Sequence, residues 1–168
     1  MKIAFYIAST GTLIDKLINV WTGFYGYSHC EIVFDHIEIS DDDKWWACSA
    51  APRDGEVRFK KIDIHSSHWE LIDIPTVNTK DDELKVYNFL KEYEGSKYDW
   101  QGILLYFIFA FMKKQDNKKW WCSEICAYTL REFIDPKLSY RISPNKFAKK
   151  LNAPKQPFKF MFSLSKSF

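Results

Sequence analysis

Apolar residues recur along this chain with two different periods, and the change between them divides it. "KIAFYIAS" (2–9) is apolar, with enough β-branched and aromatic side chains for a first strand. In "TLIDKLINVWTG" the apolar residues fall at 13, 14, 17, 18, 20 and 21. That spacing predicts a helix, with Thr12 as its N-cap and Gly23 as its stop. "SHCEIVFDHIEI" (28–39) alternates as a strand does, so His29 and Glu31 share one face and Cys30 and Ile32 the other. His36 reads as a solvent-facing residue of the same strand. "SDDDK" is a turn, "WWACSA" a strand, "PRDG" a turn, and "EVRFKKIDI" the hairpin partner. A polar loop carrying His65 and His68 leads into "HWELIDIP", a strand ended by Pro75.

From Lys80 the period lengthens. "TKDDELKVYNFLKEYEG" (79–95) has a threonine cap, early acids and a closing glycine, which together predict a helix. "DWQGILLYFIFAFMKK" (99–114) predicts a second, apolar helix capped by Asp99, "QDNKK" a loop, and "SEICAYTLREFI" (123–134) a third helix. Strands followed by helices predict an α+β domain, a mainly antiparallel sheet packed against helices, with residues 1–168 forming one domain.

Composition supports a packed globule: 46% hydrophobic, 18% aromatic and 27% charged residues are too apolar for a disordered chain. The longest apolar run, residues 102–112, falls short of the ~20 residues a membrane span needs and reads as a buried or interfacial helix. No secretory signal is visible at the start. The four cysteines, at 30, 48, 122 and 126, are too few for a disulfide scaffold, so reduced thiols and a cytoplasmic location are expected. A net charge of +2 argues neither for nor against nucleic acid, and no nucleic-acid partner is expected. The basic residues after Lys137 read as a solvated face, with an anionic partner as the other reading.

"WWCSEIC" (120–126) carries the candidate chemistry. Cys122 stands where loop passes into helix. There the amide groups and the helix dipole lower a thiol pKa and can hold an oxyanion. A thiol nucleophile also needs a base within hydrogen-bond reach and a group to orient that base. His29 lies 93 residues earlier, so only the fold can bring the two together. The other readings of Cys122 are a small core residue and a metal clip with Cys126, whose own plainest role is core packing. Glu124, in the first helical turn, reads as a favourable charge near the helix N-terminus.

Taken in order, several segments resemble one family. "VWTGFYGYSHCEIVF" resembles the opening of the circularly permuted papain-like hydrolases related to the NlpC cell-wall peptidases. "SAAPRDGEVRFKKI" is similar to the hairpin that follows in YiiX-like members. "GSKYDWQG" resembles the Tyr-Asp signature, "WWCSEICAYTL" the Cys-Ser-Glu helix start, and "RISPNKFAKKL" the Ser-Pro tail. The likeness runs from about Ile3 to Leu151. It implies a permuted papain-like fold in which histidine precedes cysteine, with Cys122 as nucleophile and His29 as base.

The resemblance further implies hydrolysis of an amide, ester or thioester bond through an acyl-enzyme, on a peptide, amide or acyl substrate, without a cofactor or metal. Backbone amides near Cys122, with Ser28 or Tyr27, would stabilise the oxyanion, and Tyr98 would line the cleft. The family pattern has a glutamate on the strand after the histidine, and the matching position here is Ser49. Glu31 is the other candidate to orient His29. Same-face neighbours on a strand are ~6.6 Å apart, so Glu31 must curl back to reach the ring. Two readings compete with hydrolysis: a binding module with a degenerate triad, and a thiol acyltransferase acting on lipid or acyl substrates.

Overall fold

The computed structural model describes residues 1–37, 44–103 and 119–157. Among these residues seven strands form one sheet: β1 (Lys2–Ile7), β2 (Tyr27–Val33), β3 (Trp45–Ala51), β4 (Glu56–Ile62), β5 (Trp69–Asp73), β6 (Lys97–Tyr98) and β7 (Lys119–Trp120). Their spatial order is β5-β1-β2-β3-β4-β6-β7, antiparallel throughout except for the parallel β6–β7 pair. A short 3-10 turn (Ala8–Thr10) precedes helix α1 (Leu13–Trp21), and α2 is Lys80–Lys91. Residues 100–103 are helical (α3), and α4 (Cys122–Phe133) and α5 (Pro144–Lys150) follow. The chain is therefore α+β, with a mainly antiparallel sheet.

The local signals act as expected. Thr12 accepts from the backbone N–H of Asp15, whose carboxylate accepts in return from the N–H of Thr12, a reciprocal cap on α1. Thr79 caps α2 through the N–H of Asp82, with Asp81, Asp82 and Glu83 in its first turn. Asp99 caps α3 by accepting from the N–H of Gly102 at 2.8 Å. The main core lies between one sheet face and helices α2, α4 and α5, around Phe5, Cys30, Ile32, Cys48, Val57, Ile125 and Phe147. Ala4, Val33, Ala47 and Ile64 form a smaller cluster on the other face.

Three elements differ from the sequence reading. The apolar positions Leu13 and Ile14 of α1 are exposed, and the residue this helix buries completely is Asn19. Asn19 Oδ1 accepts from the Gly26 N–H (2.7 Å) and from Asn145 Nδ2 (2.9 Å). Asn145 Oδ1 in turn accepts from the Tyr27 N–H at 2.8 Å, so a polar staple fixes the start of β2. His36 lies in a bend after β2 and not on the strand, because its N–H and that of Asp35 turn to meet the Glu83 carboxylate. The Ser-Pro stretch is a helix start: Ser143 accepts from the Lys146 N–H, and Pro144 fills the first helical position. Residues 104–112 of the apolar run, and the basic tail from 158, lie outside the described residues. No described helix is long and apolar enough to cross a membrane.

Candidate active site

The site forms where the sheet splits. Strands β2 and β3 pair at Ile32↔Cys48 and Val33↔Ala47, after which β3 continues to pair only with β4. The separation frees the backbone groups of Cys30 on the β3 side. Its carbonyl accepts from Ser49 Oγ at 2.7 Å and from the Cys126 thiol at 3.7 Å. Its N–H points to the sulfur of Cys122. An orphaned strand edge is costly when buried, and here each group has a partner. Ser49 thus closes the carbonyl side of the split, its hydroxyl spent on the Cys30 and Ala50 carbonyls and not on His29.

Cys122 is the first residue of α4, behind the N-cap Trp121, which offers no side-chain cap. The opening amides of the helix therefore lack intrahelical acceptors beside the thiol. Trp121 is fixed by its indole N–H, which donates to the Ile142 carbonyl at 3.2 Å, and Ser123 Oγ donates to the same oxygen at 2.6 Å. Both anchors hold the helix start against the loop before α5.

The split brings His29 to the thiol. Charge and hydrogen bonding between His29 and Cys122 shift the protonation of both groups. His29 Nε2 lies 3.1 Å from Glu31 Oε1, which leaves Nδ1 as the ring nitrogen for sulfur. Glu31 spans the strand repeat because its carboxylate is pulled into place from across the sheet. Arg58 donates from Nη2 to Oε1 (2.8 Å) and from Nη1 to Oε2 (3.0 Å). Such a fork-to-carboxylate bond is strong and directional. Arg58 is itself held by Asp54, which accepts from Nε at 2.8 Å. A chain of groups thus runs Cys122–His29–Glu31–Arg58–Asp54.

Arg58 and Asp54 were missing from the sequence reading, yet a signal was available. The hairpin turn at 52–55 sets the register Ala51↔Glu56, and two steps back puts Arg58 opposite Ser49 on the face that carries Glu31. The small residues Ala47 and Ser49 let the guanidinium reach over β3.

The electrostatics follow from these contacts. Burial alone would raise the Glu31 pKa, but the bonds from His29 and Arg58 hold it at about 2. Burial would lower that of His29, but the charge and hydrogen bond of Cys122, together with Glu31, push it up to about 10. Cys122 is held well below the ordinary thiol range, first by the Cys30 thiol and then, against burial, by His29 and the Cys30 N–H. The two shifts run in opposite directions and favour the thiolate–imidazolium form of the pair over two neutral groups. Cys30 goes the other way: burial and its thiol neighbours keep it protonated.

The other expected site residues divide. Tyr98 is buried, and burial followed by the Cys122 charge raises its pKa; its ring packs edge-on to Trp100 at 4.9 Å. Ser28 is not free to hold an oxyanion: it is buried and donates to Asp15 Oδ1 at 2.8 Å. Tyr27 is buried too, its hydroxyl donating to the Pro154 carbonyl and accepting from Gln156. Both residues hold β2 in place. Gly26, just before, has φ +114°, and a Cβ there would meet the Gln156 side chain at 2.4 Å. Glu124 is not the favourable helix-start charge expected. It is buried, it accepts from the Trp121 N–H, and its Oε2 has no partner, so burial raises its pKa to about 8. It is a neutral acid at pH 7.

No family model matches the chain, and no curated protein matches it. Among the described residues, no group of three or more His, Cys, Asp or Glu side chains is disposed to hold a metal ion.

Proposed function

We propose that the protein is a cysteine hydrolase of the permuted papain-like, NlpC-related type, cleaving an amide, ester or thioester bond. The observation that carries this reading is the Cys122–His29–Glu31 arrangement at the start of α4, with Cys122 and Glu31 buried and His29 partly exposed. The Cys122 thiolate attacks the carbonyl carbon, and the oxyanion that forms faces the unpaired amides of the first α4 turn. His29, as imidazolium, protonates the leaving group through Nδ1 and becomes neutral. It then takes a proton from water, which attacks the acyl-enzyme and releases the acid and the thiolate.

Glu31 keeps the ring oriented through both steps and stabilises its charged form before and after them, and Arg58 keeps Glu31 in place. A histidine held by a carboxylate beside a thiolate favours catalysis over a binding module with an incompetent triad. The test is a panel of fluorogenic amides, esters and thioesters with acyl-directed thiol probes, followed by mapping of the labelled residue. Turnover that disappears in Cys122→Ala, with the probe on Cys122, supports the reading. Inertness toward every acyl substrate and probe, in a folded protein, overturns it and leaves the binding module.

A further inference from the structure

His29 does not stand alone on its face of the sheet. The register sets Tyr6 of β1 opposite both His29 of β2 and Trp69 of β5. The three residues therefore form one row across the strands, on the face opposite the main core. Two strand spacings, about 9.6 Å, separate the backbones of Trp69 and His29. Their ring centroids are 6.4 Å apart, because the side chains lean toward each other along the row. The Tyr6 ring meets Trp69 edge-on at 5.1 Å and stacks on His68 at 5.9 Å. Trp69 packs against the small cluster around Ala4 and Val33, and the His68 carbonyl accepts from the Ile7 N–H at 2.8 Å. Both ends of the row are thus held in place. Tyr6 and Trp69 are half-buried and His68 is exposed, so the rings form an open aromatic shelf that begins at the candidate base.

We propose that this shelf of Trp69, Tyr6 and His68 is the leaving-group subsite, and that it selects substrates whose leaving group is uncharged and apolar or aromatic. This rests on His29 as the acid of the proposed hydrolase. The departing amine, alcohol or thiol takes the His29 proton, so its heteroatom comes within ~3 Å of the imidazole. The substituent on that atom then lies beside the base, where Trp69 supplies an aromatic wall, while the acyl group stays on Cys122. An apolar substituent laid on the rings removes both surfaces from water.

The charges nearby point the same way. On this face Glu31 is matched by Arg58, Arg58 by Asp54 and Lys2 by Asp35. Glu70, next to Trp69 in sequence, points to the other face and accepts from Gln156 Nε2 at 2.9 Å. A cationic leaving group would find the rings, but it would also meet the like charge of the His29 imidazolium beside them. Because the leaving group departs when the acyl-enzyme forms, the shelf acts on kcat/KM. Hydrolysis of the acyl-enzyme is common to all substrates that share an acyl group.

The test is a set of esters of one acyl group with 2-phenylethanol, ethanol and choline, turned over by the full chain. The phenylethyl ester is expected to exceed the ethyl ester in kcat/KM by about tenfold or more, the scale for filling an apolar subsite. Trp69→Ala should bring that ratio near unity and Trp69→Phe should restore most of it. Trp45→Ala should leave the ratio as it is, since the Trp45 ring pairs with His65 at 6.5 Å instead. A ratio near unity in the unaltered protein, or a choline ester ahead of the phenylethyl ester, overturns the proposal whatever the variants do. A second measurement needs no turnover: 2-phenylethanol titrated into the Cys122→Ala protein should shift the ring NMR signals of Trp69 and His68, and ethanol should not. Absence of those shifts overturns the subsite even in an active hydrolase. Their presence in a protein inert toward every acyl substrate supports the aromatic site and overturns only the hydrolase reading.

Discussion

The two ends of β2 each hold a histidine against a buried glutamate, at nearly equal distances. His29 and Glu31 are 3.1 Å apart, and His36 and Glu83 3.2 Å. What surrounds each pair differs. Glu83 is fully buried, and its charge is met by the Met1 ammonium at 2.9 Å and by the N–H groups of Asp35 and His36. Asp35 also faces the ammonium, at 2.9 Å, and Lys2 at 2.6 Å. Every charge there is matched by a group with no chemistry to perform, so the cluster ties the start of β1 to α2. At the other end the imidazole has one nitrogen on a carboxylate, and its protonation is coupled to a thiol. A His–Glu contact is thus common to a lock and to a candidate catalytic pair, and the neighbour of the second ring nitrogen decides between them.

Replacing each histidine should separate the two ends most widely. His29→Ala is expected to slow acyl turnover by about 10²–10⁴-fold, the range for lost acid–base catalysis, whereas His36→Ala should leave it within about twofold. Steady-state rates on any substrate found in the acyl panel check this. Next comes Glu83→Gln, which leaves the Met1 ammonium with Asp35 as its remaining counter-charge. Stability should fall by about 1–3 kcal/mol in urea unfolding, with the iodoacetamide rate at Cys122 unchanged. The Glu83 pKa is lowered in the fold, with burial outweighed by the bonds from the ammonium and the two N–H groups. Its stabilisation is therefore present above the carboxylate's unfolded pKa and lost as pH falls through the folded one. The variant should remove that acid-side slope.

A smaller effect sharpens the catalytic end. Glu31→Gln removes the charge that helps raise the His29 pKa, so imidazolium should be lost at lower pH. Turnover should drop about tenfold and the pH profile should narrow from its alkaline side. Ser49→Ala should leave the profile in place and cost about 1–3 kcal/mol of stability, because the Cys30 carbonyl loses its hydroxyl donor. A shift of the profile in Ser49→Ala and none in Glu31→Gln would reverse the assignment.

Short-range signals were legible and long-range ones were not. Thr12 and Thr79 cap their helices because a cap needs only the residues three positions ahead. His29 and Glu31 share a face because a strand repeats every two residues. The choice between Glu31 and Ser49 was not legible from β2 alone. It depends on Arg58, two strands away, and on the split that turns Ser49 toward the Cys30 carbonyl. The apolar stripe of α1 misleads for a related reason: Asn19 is drawn inward by Gly26 and Asn145, partners that no periodicity contains. The sequence reads Glu124 as a charge favoured by the helix N-terminus, but the chain around α4 encloses it and burial raises its pKa.

The central claim is that Cys122 and His29 form a thiolate–imidazolium pair, and the rate of iodoacetamide labelling against pH tests it most directly. Cys122 is expected to label first of the four cysteines, at a rate already on its plateau near neutral pH, and His29→Ala should return that rate to a rise with pH like that of an ordinary thiol. Labelling of Cys122 no faster than Cys30, Cys48 and Cys126, rising only near the ordinary thiol pKa of about 8.5, would contradict the account.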